Sequence, residues 1–277
     1  MTSTGVIARL TLHEAARRWV LWAALILGVI FLVVFSLGFN EIQKEIARST
    51  TQSLQRNQIY NFMMMAGLYA VNFLTLVMAV LTSVDTLSGE IASGTIHILV
   101  SKPMRRWEIV LGKWLGYSAM LSVYLLLMGG GVVLAVFLIG GYAAPHIPQG
   151  LGLMWLNIEL MLTISLLGGT TLSTLANGVM AFGLYSIAFI GGWVEQFGSF
   201  LQNQTAVKIG VISSLIIPSE ALWKRAVYEM QSPLVAALGF SPFSAASTPS
   251  AAMIVYAILY LLAAFGLALR LFKRRDL

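Results

Sequence analysis

"GEIASGTIHILVSKPMRRWEIVLGK", residues 89–113, joins two long apolar runs and resembles neither. It gathers glycines, a proline, Glu90 and Glu108, and the cations Lys102, Arg105, Arg106 and Lys113, in a chain that is 58% hydrophobic and 10% charged. A connection that only turns the chain between two helices needs a handful of residues. This one is built to touch something, and the runs on either side of it decide the fold.

The mean hydropathy of +0.84 and the 58% apolar content lie well above the about 45–50% apolar residues of soluble domains. Six runs approach the roughly 20 apolar residues needed to cross hydrocarbon: 19–39, 60–83, 107–141, 151–171, 178–194 and 251–269. None alternates with period two, so the reading is an all-α membrane protein with six transmembrane helices in one domain, 1–277, and not a barrel. The first run is too long for a signal-peptide core and is expected to be retained. The third, with its charged start, would outreach the bilayer, so its first turns are expected to stand in water. Gly129, Gly130 and Gly131 permit a bend or a close contact there.

Cysteine is absent, which excludes disulfides and thiolate metal sites. Seventeen Lys and Arg against 11 Asp and Glu give a net charge of +6. The cations flank the spans, which is the pattern of a cytoplasmic membrane face and not of a nucleic-acid footprint. Arg9, Arg17, Arg18, Lys102, Arg105, Arg106, Lys113, Arg270, Lys273, Arg274 and Arg275 share one side; Lys44, Arg48, Arg56, Lys208, Lys224 and Arg225 share the other. The richer side is expected inside, with both termini cytoplasmic in a multi-pass inner or plasma membrane protein.

Three segments do not span. Residues 5–18, "GVIARLTLHEAARR", place Val6, Ile7 and Leu10 on one side of a helix and Arg9, His13 and Arg17 on another, with Glu14 spaced to pair with Arg18. This is the pattern of an amphipathic helix on the inner surface. Residues 195–250 form an outer segment, in which Pro218 followed by Ser219 and Glu220 marks a break and a fresh helix start, giving a cap or re-entrant hairpin. Residues 85–106 are the third. There Pro103 suits a first helical turn, Arg105 and Glu108 stand one turn apart, and Trp107 and Trp114 are spaced as interfacial anchors.

Catalytic patterns are weak. "VLGKWLG" (110–116) has Gly112 and Lys113 but no phosphate-cradling glycine spacing and no Ser or Thr after the lysine. Ser118 in "GYSA" (116–119) has no histidine within a span to act as its base. Glu159 is the ionisable residue lying well inside a span, and an intramembrane carboxylate is costly unless it faces a polar interior. With Asn157 and Thr163 it either lines a pathway or makes a structural hydrogen bond. From the residues alone, the cations of 89–113 either dock a partner or hold lipid phosphates.

The stretch 89–113, together with "STLANG" (173–178) and "SSLIIPSEALWKRA" (213–226), resembles the ABC-2-type transporter permeases over essentially the whole chain. The resemblance implies a type V exporter fold: two six-span subunits, as a homodimer or a heterodimer with a related permease, around a central pathway. The N-terminal helix and the segment between spans two and three would contact a separate cytoplasmic ABC ATPase. ATP and Mg would sit on that partner, and this chain would bind no cofactor and carry no catalytic residue. Carried onto this sequence, the ATPase-coupling positions are Glu90, Gly94, Thr95, Ser101, Pro103, Arg105, Arg106 and Lys113, and the surface helix contributes Glu14, Arg17 and Arg18. Two other classes remain: an ion- or proton-coupled secondary transporter using Glu159, for which no inverted repeat is visible, and a membrane scaffold for a cytoplasmic complex.

Overall fold

A computed structural model describes residues 3–49, 53–96, 105–231 and 249–275, and every element among them is helical. The helices are α1 (Ser3–Arg17), α2 (Trp19–Arg48), α3 (Ser53–Ser83), α4 (Ser88–Ala92), α5 (Arg106–Gly140), α6 (Ile147–Gly169), α7 (Thr174–Phe200), α8 (Gln204–Ile216), α9 (Ser219–Met230) and α10 (Ala251–Arg274). Six of these are long and apolar enough to cross a membrane: α2, α3 with its short continuation α4, α5, α6, α7 and α10. Helices are the expected solution, because hydrocarbon offers no partner to an unpaired backbone amide.

Local chemistry sets the boundaries. Ser173 caps α7 by accepting the Ala176 N–H, and Asn203 caps α8 by accepting the N–H groups of Thr205 and Ala206. The α5 helix ends at Gly141 with φ +65°, a left-handed conformation that glycine adopts without a Cβ penalty. Pro218 ends α8, and α9 departs at 106° to it, so the break anticipated there is real. The α7 helix runs on to Phe200 and buries Gln196, which composition alone places in a wet loop.

The centre of the bundle is α3, α5 and α6. Met64, Leu68 and Val71 of α3, Leu121, Tyr124 and Leu125 of α5, and Met154, Ile158 and Met161 of α6 are all buried there. In contrast, α2 turns Ile26, Ile30, Val33 and Leu37 outward, the arrangement of a helix whose solvent is lipid. The α5 helix passes through its three glycines without a break; Gly131 instead receives the Leu32 side chain of α2.

The α1 helix corrects the reading from its apolar pattern. Its buried face is Ile7, Thr11 and Ala15, while Val6 and Leu10 are exposed. The cause lies on α5, where Gly112 and Gly116 leave a notch. A Cβ at Gly112 would stand 2.6 Å from Ile7, and one at Gly116 would stand 2.8 Å from the Ala8 carbonyl. A helix can approach that closely only where the partner lacks a side chain. Thr11 follows Ile7 into the notch because its hydroxyl is satisfied by the Ile7 carbonyl at 2.9 Å. So α1 is seated on protein along one face. Gly116→Val is expected to lower stability by about 1–3 kcal/mol, the usual cost of overpacking, and to release α1. Thermal unfolding with protease susceptibility of residues 3–17 checks it.

Candidate functional site

At the basic end of the bundle, α4 continues α3 after a short break and meets the first turns of α5. Glu90 on α4 pairs with Lys113 on α5 at 2.5 Å, with the lysine side chain 4% exposed and the carboxylate side chain 18% exposed. Removing either partner would leave the other enclosed without its counter-charge. The Gly–Lys pair therefore serves two neighbours: Gly112 admits α1 and Lys113 holds α4. Gly94 follows α4 with φ +73°, a conformation that favours glycine, and the Ser93 and Thr95 hydroxyls bond each other at 2.9 Å. Ser101 and Pro103 lie outside the described residues.

The remaining coupling candidates divide into tied and free. Arg106 donates to the carbonyls of Lys273 (3.2 Å) and Arg275 (2.6 Å), closing the end of α10 onto the start of α5. Arg275 in turn donates to the Thr170 carbonyl at the end of α6. Arg105 is exposed, and its backbone N–H is taken by Glu108 Oε2 at 2.9 Å. Glu14 accepts from Arg18 at 2.8 Å, as their spacing predicts, and Arg18 also stands 3.9 Å from Asp85. Arg17 has no ion-pair partner among the described residues and lines a groove of about 620 Å³ along the outer face of α1 with Val6, Arg9, Leu10, His13 and Glu14.

The "STLANG" stretch has a visible task. Asn177 is fully buried and donates to the carbonyls of Val84 (3.0 Å) and Ser165 (2.9 Å), while Thr174 donates to Asp85 at 3.0 Å. The starts of α4 and α7 and the end of α6 are thereby fixed together next to the Glu90–Lys113 pair.

Deeper in the bundle, Ser118 on α5 donates to Glu159 Oε1 on α6 at 2.6 Å. Sequence reading treats the two separately, because nothing in their separation of 41 positions links them. Thr163 accepts from the Trp114 indole at 3.0 Å and donates to the Glu159 carbonyl. Trp114 is thus an internal strut, also packed on Phe265, whereas Trp107 is exposed as an anchor would be. Asn157 donates to Asn72 of α3 at 3.3 Å. Glu159 Oε2 has no partner among the described residues, and the residue lies at the wall of a cavity of about 600 Å³ lined mostly by apolar side chains, Trp114, Leu153, Trp155 and Ile258 among them, with Gln149 and Glu229 as its other polar groups.

At the opposite end is a cluster that the sequence conceals. Lys224 of α9 pairs with Glu195 of α7 at 2.7 Å, both nearly enclosed, and Glu220 is buried one turn away. Hydropathy places these residues in a polar outer segment. Only the fold of α9 against α7 shows that they are interior.

The family model for ABC-2 family transporter proteins matches residues 6–277. Among curated proteins, the chain is similar to "Probable ABC transporter permease protein NosY" of Stutzerimonas stutzeri, 29% identical over 177 residues. That stretch covers 61% of this chain and 56% of the relative, so the chain matches just over half of the relative's length. The six apolar spans, the helix α1 before them and the family match over nearly the whole chain agree: this protein belongs to the ABC-2 family of transporter proteins.

Proposed function

We propose that the chain is the membrane-spanning subunit of an ATP-driven exporter, driven by a separate cytoplasmic ABC ATPase that carries the ATP and Mg. It works as a dimer, with a second copy or a related permease, and its basic end with both termini faces the cytoplasm. The observation that carries this reading is the Glu90–Lys113 pair. It fixes the broken segment after α3 to the same turns of α5 that seat α1. A push delivered at α4 or at the free face of α1 would reach α5 directly, and α5 continues as one helix for 35 residues into the core of the bundle. In this mechanism Arg105, Arg17 and Glu14 meet the partner, Glu90 and Lys113 hold the contact surface in place, and Arg106 braces it from behind. The similarity to a protein named as a permease supports a transport role without hydrolysis by this chain, as does the lack of a phosphate-cradling loop.

The pair generates a test. Glu90→Ala leaves Lys113 enclosed and unpaired, a change that costs about 3–5 kcal/mol when both groups are fully buried and less here, where the carboxylate is partly exposed. Replacing both partners, Glu90→Gln with Lys113→Met, is expected to restore most of the stability. Co-purification of a soluble ATPase subunit from the native host, read beside thermal unfolding, separates the roles. Retention recovered together with stability assigns the pair to positioning, whereas retention still lost assigns Glu90 to direct contact. Wild-type retention in Glu90→Ala overturns the coupling role.

A second reading, transport coupled to a proton or ion, draws on the free Glu159 oxygen beside the cavity. Glu159→Gln keeps the volume and the Ser118 hydrogen bond, so stability is expected to change by no more than about 1 kcal/mol. Altered transport with unchanged stability places Glu159 on the pathway. Unchanged transport with lowered stability makes it structural.

Orientation is tested by cysteine labelling, since the chain has no cysteine of its own. Ser93→Cys is expected to be inaccessible from outside intact cells. Ser219 is buried, so exposed Gln204 is the better outer reporter, and Gln204→Cys is expected to label.

A further inference from the structure

The start of α5 and the end of α10 enclose a cleft of about 790 Å³ lined by Arg105, Arg106, Trp107, Leu269, Arg270 and Lys273. Arg106 is committed to the α10 carbonyls. The other three cations have no acidic side chain in ion-pair contact among the described residues. Glu108, the acid nearest in sequence among the described residues, uses its Oε2 on the Arg105 backbone. Three cations with no ion-pair partner among the described residues thus line one cleft.

The walls beyond the cations are apolar. Trp107 is exposed at the cleft, and the outward face of the neighbouring turns carries Leu115 on α5 and Leu262 and Leu267 on α10. A ligand lying here would have a doubly or triply anionic head against guanidinium and ammonium groups and a hydrocarbon body along the two helices. An acidic protein surface matches the head but not Trp107 and Leu269 in the cleft or the exposed leucines farther along the two membrane-crossing helices. Guanidinium groups match phosphate oxygens in planar, two-bond geometry, and basic clefts between spans at a membrane face suit anionic lipid heads.

We propose that this cleft binds the headgroup of an anionic phospholipid from the leaflet that meets this end of the spans, and that a head with two phosphodiesters is preferred over one with a single charge. The lipid would rest on the brace formed by Arg106, so its occupancy would stiffen the junction of α5 and α10. The proposal does not depend on how the transporter is driven.

The test uses the full chain in detergent, titrated separately with diphosphatidylglycerol, phosphatidylglycerol and phosphatidylcholine, with binding read by native mass spectrometry and by the rise in unfolding temperature. The two-phosphate lipid is expected to bind most tightly and phosphatidylcholine least. Arg270→Gln with Lys273→Gln is expected to weaken the two-phosphate lipid by about 30-fold, from roughly fivefold per cation. The charge-keeping pair Arg270→Lys with Lys273→Arg should retain binding and show that the site is folded, and Arg274→Gln, outside the cleft, should leave it unchanged. Equal affinity for phosphatidylcholine, or undiminished binding by the double Gln variant, overturns the proposal. Inorganic pyrophosphate binding as tightly as the lipid would make this a free-phosphate site, and loss of an acidic protein subunit from the lipid-free double Gln variant would make it a protein dock. Either result also overturns the lipid assignment.

Discussion

Hydrocarbon cannot hydrogen-bond, and that constraint governs nearly every polar contact in this bundle. A hydroxyl, amide or carboxylate placed on a spanning helix must find its partner inside the protein, on its own helix or on a neighbour. Many of the serines and threonines of α3 take the first route, bonding a carbonyl one turn back. Others take the second route and mark where helices are held in fixed register, among them Asn72 with Asn157, Ser118 with Glu159, Trp114 with Thr163, and Asn177 with Val84 and Ser165. Between them the packing is apolar, and close fits such as α1 in the notch at Gly112 and Gly116 add to what these ties define.

The α5 helix collects a large share of them. Along its length it seats α1 in a glycine notch, holds α4 through Lys113, bonds Thr86 through Tyr117, meets α6 through Ser118, and touches α2 through Tyr124, which donates to the Ala24 carbonyl. A rigid element with contacts of this variety moves as a unit or not at all. The peripheral helices α2 and α10 have less to hold them, and their buried residues are mostly small or widely spaced.

How much of this was legible in the sequence depended on the range of the interaction. The six spans were readable because hydropathy is a property of single residues summed over a window, and the break at Pro218 because proline removes a donor locally. Glu14 with Arg18 was readable because helical spacing brings i and i+4 together. The buried face of α1 was not, because the notch that selects Ile7 and Thr11 over Val6 and Leu10 lies on α5, a hundred positions away. The same reason hid Lys224 with Glu195. In "GEIASG" and "LGK" the sequence offered an acid and a lysine as possible contacts for a partner, and the fold turned them toward each other. Arg106, grouped with its neighbour Arg105 by charge, is separated from it by what it touches.

The tie from Arg106 to the end of α10 has a consequence in time. Arg106 leaves the ribosome 167 positions before the Lys273 carbonyl that accepts from it, and Arg275 closes on Thr170 across 105 positions. Until α10 has been inserted, both the first turn of α5 and the last turn of α6 lack the groups that complete them. The contact between the start of α5 and the end of α10 can therefore form only after α10 is in place. A nascent chain stalled before α10 would leave Arg106 and the Thr170 carbonyl without these partners.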